Sequence, residues 1–368
     1  MRRRRATVLA AAVVLVLVVV VVVLVTGGNG GSGKSQGPTT SAPSSSSAPS
    51  TTGAPTTAAH AASAITATTP VWSLAQPLSR EIVLPGPGAR VTVFGGLLAS
   101  QATTAEVFTL DTSSGGTSTL APLASGVHDA AGAILGGRVY LFGGGSPDTV
   151  ATVQQYPIPA TSTTTSGPAP AVTGQLPQTR SDCDAVRIGA TVYVVGGYDG
   201  SAPDPSVLAT TDGSQFSTAA DLTVPVRYAA VAALGGDIYL FGGQAVEGST
   251  AGQAVDDIQV VDPSRDSAAV VGHLPQPLAG ASAVVLGGRI YIAGGVNDTS
   301  TAAATAQILA YQPSTRTAAP AGTLPVPTSY AAATVSGGRA WIIGGENGGS
   351  PMSSVEELAL SDHARRAS

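Results

Sequence analysis

The sequence has one cysteine, Cys183, one lysine, Lys34, four histidines and an aromatic content of only 4%. A single cysteine allows neither an internal disulfide nor a cysteine-built zinc site. Charged residues make up 11% of the chain, too few for long solvated helices, so a helical bundle or coiled coil is excluded. In their place stand 46 glycines and 26 prolines among small apolar residues, the composition of short strands joined by turns. From Val71 onward 12 arginines face 22 acidic residues. A folded part of that sign is a poor match for nucleic acid or anionic lipid, and no nucleic-acid partner is expected.

The first 70 residues read differently from the rest. Residues 1–5 form a basic tail with four consecutive arginines, and residues 6–25 hold nothing more polar than Thr7. Twenty such residues make about 30 Å of helix, one bilayer core. With the arginines on the cytoplasmic side, and no small-residue cleavage site after Val25, the run reads as an uncleaved single-pass anchor in the cytoplasmic membrane. Residues 26–70 are almost entirely Gly, Ser, Thr, Ala and Pro, with no Phe, Trp or Tyr, which predicts a disordered tether carrying a folded domain outside that membrane. Gly28-Asn29-Gly30-Gly31-Ser32-Gly33-Lys34-Ser35 matches the phosphate-loop pattern letter for letter. It lacks the strand before it and the helix after it that a phosphate cradle needs, so no nucleotide is expected at 28–35.

Beyond the tether the chain repeats. Glycine pairs end apolar runs at Gly95, Gly143, Gly196, Gly242, Gly294 and Gly344, with spacings of 48, 53, 46, 52 and 50. Three residues before each stand Thr92, Tyr140, Tyr193, Tyr239, Tyr291 and Trp341, and seven before each a turn glycine recurs. Two short strands around that turn make a hairpin; a third and a fourth follow, the fourth ending near Leu-Pro, as at Leu274-Pro275. Four strands per repeat are one blade, which cannot bury both faces alone and must stack around an axis. The prediction is an all-β six-bladed propeller over residues 71–361, four antiparallel strands per blade, followed by a tail at 362–368. The last repeat runs out at its third strand, so residues 71–78, which include Trp72 and Leu74, are expected to supply the fourth and close the ring.

The apolar strand ending in Gly-Gly, the aromatic before it and the third-strand tyrosines Tyr156 and Tyr311 resemble the Kelch-repeat family. The resemblance spans about residues 71–361 and implies a propeller that binds or scaffolds partners. Galactose-oxidase-like copper chemistry, known on such propellers, does not fit, because Cys183 falls inside an inner strand and only four histidines exist.

In an antiparallel blade the start of the first strand and the loop after the second share one face, the expected binding mouth. Fourteen residues before the glycine pairs lie Glu81, Asp129, Asp182, Tyr228, Gly280 and Tyr330, and one residue earlier Arg80, His128 and Arg227. Three carboxylates at one position, Glu81, Asp129 and Asp182, would suit a hard cation such as Ca²⁺; no other cofactor is implied. With the tyrosines, the same arc suits an envelope protein or a glycan. A sialidase-like hydrolase or other carbohydrate-active enzyme is the alternative, using Arg80, Arg180, Arg227, Tyr228, Glu81 and Asp129. Arg90, Arg138, Arg289 and Arg339, each five before a glycine pair, are expected on the opposite face as solvated hairpin ends.

Overall fold

The computed structural model describes residues 65–158, 169–245 and 252–361. The basic tail, the apolar run, most of the tether, the phosphate-loop-like segment and the C-terminal tail lie outside the described residues. Among those described there is no helix, hence none long and apolar enough to cross a membrane.

Six four-stranded antiparallel sheets surround an axis. Blade four is typical. Ala230–Leu234 lies innermost and pairs with Asp237–Phe241, which pairs with Asp257–Asp262, which pairs with Ser267–His273 outermost. Its first turn is Gly235-Gly236, both at positive φ, the two-residue hairpin that keeps the right-handed strand twist. Alternation sets the packing: in Asp237–Phe241, Tyr239 and Phe241 face blade five, while Ile238 and Leu240 face blade three. The core is therefore six seams rather than one centre. Between blades four and five Tyr311 meets Phe241 edge to face at 5.0 Å, and between blades one and two Tyr156 meets Phe94 at 5.3 Å.

The glycine pairs are seam elements. A methyl group at Gly143 (φ 66°) would collide with the carbonyl oxygen of Arg180 in the next blade, so neither bulk nor another backbone conformation is tolerated there.

The ring closes differently from the sequence expectation. The outermost strand of blade six is Ile65–Thr68, which pairs with Val355–Leu360 in the register Ile65↔Leu360 to Thr68↔Glu357. Residues 71–78 are not that strand. They form the connection from blade six to blade one, with the Leu74 N–H donating to the Ser353 carbonyl at 3.0 Å. Trp72 stacks on Trp341 of blade six at 5.9 Å and lies against Gly115 of blade one. Its half-buried packing against two blades, not membership of a strand, explains the tryptophan. The tether thus ends by residue 64 rather than 70, because Ile65 and Ala67 pack against the core of blade six.

Candidate functional site: the axial mouth

At the start of each inner strand one residue adopts a left-handed backbone. These are Arg80, Asp129, Asp182, Tyr228, Gly280 and Tyr330, with φ from 50° to 62°. For a non-glycine residue that conformation is uncommon and strained. Here it turns each peptide sideways, and the six join in a closed belt of hydrogen bonds around the axis. Asp129 N–H donates to the Arg80 carbonyl, Asp182 to Asp129, Tyr228 to Asp182, Gly280 to Tyr228, Tyr330 to Gly280 and Arg80 to Tyr330, over 2.7–3.0 Å. Each blade donates to one neighbour and accepts from the other, which offsets the local strain.

The belt corrects the register of blade one: its ring member is Arg80, not Glu81. The first hairpin there carries one residue more than in blade two, since Pro85 pairs with Val91 whereas Ile134 pairs with Val139. Counting back fourteen residues from Gly95 therefore falls one short, and a one-residue slip sends a side chain to the other face of its strand. Glu81 is 6% exposed and sits in the seam between blades six and one, where a methyl at Gly344 would lie 2.5 Å from its Oε1. Neither oxygen has a hydrogen bond of good geometry. Burial pushes the carboxyl up to about 8, against a lesser pull from the N–H groups of Glu81 and Ala332.

The side chains on the belt meet over the axis. Arg80 Nη1 donates to Asp129 Oδ2 at 3.0 Å and to the Tyr228 hydroxyl at 2.7 Å, and its Nε donates to Glu346 Oε1 at 2.6 Å. The guanidinium lies 4.5 Å from the Tyr330 ring centre and 5.4 Å from that of Tyr228, and the two rings meet edge to face at 4.9 Å. Arg227 pairs with Asp182 at 3.3 Å, donates to Gln244 at 2.7 Å and faces the ring of Tyr198 at 5.0 Å. His128 bonds Thr103 at 2.8 Å, and burial and the Arg80 charge hold its imidazole toward the neutral form. Burial raises the Asp129 carboxyl despite Arg80. Asp182 is pushed up to about 6, first by burial and then by the charge of Asp129, with Arg227 pulling the other way. Beneath this layer lies a cavity of ≈ 280 Å³ walled mainly by small residues, among them Ala185, Ala229 and Ala281, and reached by Cys183 and Asp184. Asp184 is open to the lumen yet surrounded by protein, and that enclosure pushes its carboxyl up to about 7.

Arg80, His128, Asp129, Asp182, Arg227, Tyr228 and Tyr330 thus come together at the mouth, whereas Glu81 and Arg180 do not. Arg180 is fully buried two residues before its blade's ring member, ion-paired with Asp204 and donating to the Ser206 carbonyl at 2.8 Å. Leu78, Val127, Val226 and Leu278 fill that position in four other blades, the sign in the sequence that it faces the seam. Gln244, which holds Arg227, was missed; it is the first residue after its glycine pair, as Tyr198 and Glu346 are after theirs. The three carboxylates do not form a Ca²⁺ cage either. Guanidinium groups lie against Asp129 and Asp182 where a cation would sit, and Glu81 is walled off in the seam.

The Kelch motif matches residues 225–267 and 277–317, the strands of blades four and five. These two stretches are Kelch repeats, and with the six-bladed fold they support a Kelch-repeat family. The Kelch propeller is similar to the solved structure of YjhT, with a TM-score of 0.63 at 16% identity, covering 78% of this chain and 95% of that one. At that identity the likeness is one of fold. No curated protein matches the sequence.

Proposed function

We propose that this Kelch propeller is a membrane-anchored, extracytoplasmic binding module that holds an envelope protein or glycan at its axial mouth. A Kelch fold suggests a protein-binding or scaffolding role, and the four arginines ahead of a twenty-residue apolar run support the anchor. The observation that carries the mouth is the layer of Arg80, Arg227, Asp129, Asp182, Tyr198, Tyr228 and Tyr330. It presents charges of both signs and aromatic faces, preorganised by the backbone belt. Such a surface fixes partner orientation through charge-assisted hydrogen bonds and stacking. The hydrolase alternative is weaker, because its arginine cluster loses Arg180 to the seam.

A photo-crosslinking side chain at Tyr198 of the full chain in its native membranes tests this reading. A discrete adduct is expected there and absent from the same probe at Gly236 on the far face. Thermal unfolding with wall-glycan fragments distinguishes the glycan case, in which the midpoint rises for wild type but not for Asp129→Asn/Asp182→Asn. Turnover of a fragment that disappears in Asp182→Asn would favour the enzyme instead.

A further inference from the structure

The face opposite the mouth holds a charge arrangement that mouth binding does not use. In blades one, three, four and five the turns after the first and third strands lie on this face, as do the first turns of blades two and six. Arg289 and Arg316 of blade five, Arg339 of blade six, Arg90 of blade one and Arg138 of blade two stand at or beside those turns, in four consecutive blades. Among the described residues two carboxylates accompany them, Asp111 opposite Arg90 and Glu357 paired with Arg339. Blades three and four carry the reverse balance there, with Arg187 and Arg265 against Asp212, Asp237, Asp262 and Asp266. One half of the face is basic, the other acidic.

The second observation is where the chain joins the propeller. Ile65 pairs with Leu360, and Leu360 lies against the turn residue Gly287 of blade five, so the N-terminal segment reaches the fold on the turn face. It does so at blade six, in the middle of the basic half. The chain after Leu360 leaves from the same place.

We infer that the basic half of the turn face docks on the anionic lipid surface of the membrane that anchors the chain, so that the mouth points away from the bilayer. The inference rests on the anchored reading above. The acidic net charge of the folded part opposes lipid binding when averaged over the molecule. The loop carboxylates Glu106, Asp148, Asp199, Asp256, Asp257 and Asp298 belong to the mouth side. Five-residue strands hold the two faces about 17 Å apart, beyond the Debye length of about 10 Å at 0.1 M salt, so each face is felt nearly alone. Residues 26–64, with the composition of a coil, span on the order of 35 Å. A tether of that reach puts the turn face at an effective concentration near the millimolar range at the lipid surface, and five arginines around the joining point then suffice for a reversible, salt-sensitive contact.

The test uses the full chain reconstituted in vesicles, in a Cys183→Ala background, with a fluorophore at Ser314→Cys on the turn face or at Ala303→Cys on the mouth side of the same blade. Headgroup-quencher lipids report proximity. With phosphatidylglycerol vesicles, quenching at position 314 is expected to exceed that at 303 several-fold. It should fall toward parity in 0.5 M NaCl, in phosphatidylcholine, and in Arg90→Gln/Arg289→Gln/Arg316→Gln whose circular dichroism is unchanged. Equal quenching at both positions on the anionic vesicles, or a preference that salt and the triple variant leave intact, overturns the docking while leaving the anchor standing. A chain that alkaline carbonate strips from the vesicles overturns the anchor and the docking together.

Discussion

The Tyr228 hydroxyl accepts a hydrogen bond from Arg80 Nη1 at 2.7 Å, although the two residues belong to blades four and one, on opposite sides of the axis. A single tyrosine and a single arginine therefore span the mouth. With Asp129 and Glu346 on the same guanidinium, they tie blade four to the neighbouring blades six, one and two, with none of which it shares a seam.

Arg80 is consequently expected to matter for stability beyond its own seam. In Arg80→Met the Asp129 and Glu346 carboxylates, 9% and 5% exposed, lose their counter-charge, and a loss of about 3 kcal/mol is expected in urea unfolding at pH 7.5. The deficit should shrink at pH 5, where the orphaned Asp129 carboxyl, already raised by burial, takes up a proton. An equal deficit at both pH values would mean that packing, not charge, was lost.

Glu356 offers a change in the opposite direction. Gln154 and Gln259 hold the equivalent position in blades two and four, and each exchanges two hydrogen bonds with one backbone residue, Ser125 or Val224. Glu356 accepts from Val326 N–H at 2.7 Å, but its other oxygen is buried without a partner, and burial pushes the carboxyl up to about 7. Glu356→Gln restores the second bond as a donor to the Val326 carbonyl. A gain of about 1–2 kcal/mol in chemical denaturation is expected, and a neutral or destabilising result would show that the carbonyl is already satisfied.

Stability should fall as pH rises from 5 to 8.5. Glu81 and Asp184 titrate at about 8 and 7 in the fold against 4.5 and 3.8 as free side chains. Between those values the folded state holds protons that the unfolded chain has released. Their contribution is thus complete below the unfolded values and is lost as pH passes the folded ones. Exposed carboxylates such as Asp298 are shifted down by hydrogen bonds from Ser300, so their contribution is lost only in stronger acid. Glu81→Gln should flatten the profile and raise stability at pH 7 by on the order of 3 kcal/mol. Calorimetric midpoints across that pH range decide it.

Cys183 should be a slow thiol. Burial pushes it up to about 12, with Arg180 pulling down and Asp182 and Asp184 pushing up. Reaction with a disulfide reagent at pH 8 is expected to be at least roughly a hundredfold slower than in urea-unfolded chain; comparable rates would place the thiol in open solvent.

Much of this architecture was legible because its signals are local. A turn glycine and a glycine pair within nine residues, with an aromatic between them in five copies of six, specify one hairpin, and six copies at near-constant spacing specify six blades. His128, Asp129, Asp182, Arg227, Tyr228 and Tyr330 followed from that register without any knowledge of contacts. Leu74-Ala75-Gln76-Pro77-Leu78 also parallels Leu274-Pro275-Gln276-Pro277-Leu278. Aligning those segments makes Arg80 the counterpart of Gly280 and puts the closing strand upstream of Leu74. Both corrections were therefore present in the sequence, masked by one additional residue in the Pro85–Arg90 turn and by the lure of Trp72.

By itself, then, the sequence determined the strand pattern, the blade count and the polar character of the mouth, because each depends on residues close together in the chain. Only the tertiary structure decided that Arg80 reaches Tyr228 across the axis, that Glu81 and Arg180 turn into seams, and that Ile65–Thr68 closes the ring. Those outcomes join segments up to 295 residues apart, as in Ile65↔Leu360. They hinge on which side of a strand a side chain takes, a choice that a shift of one residue reverses.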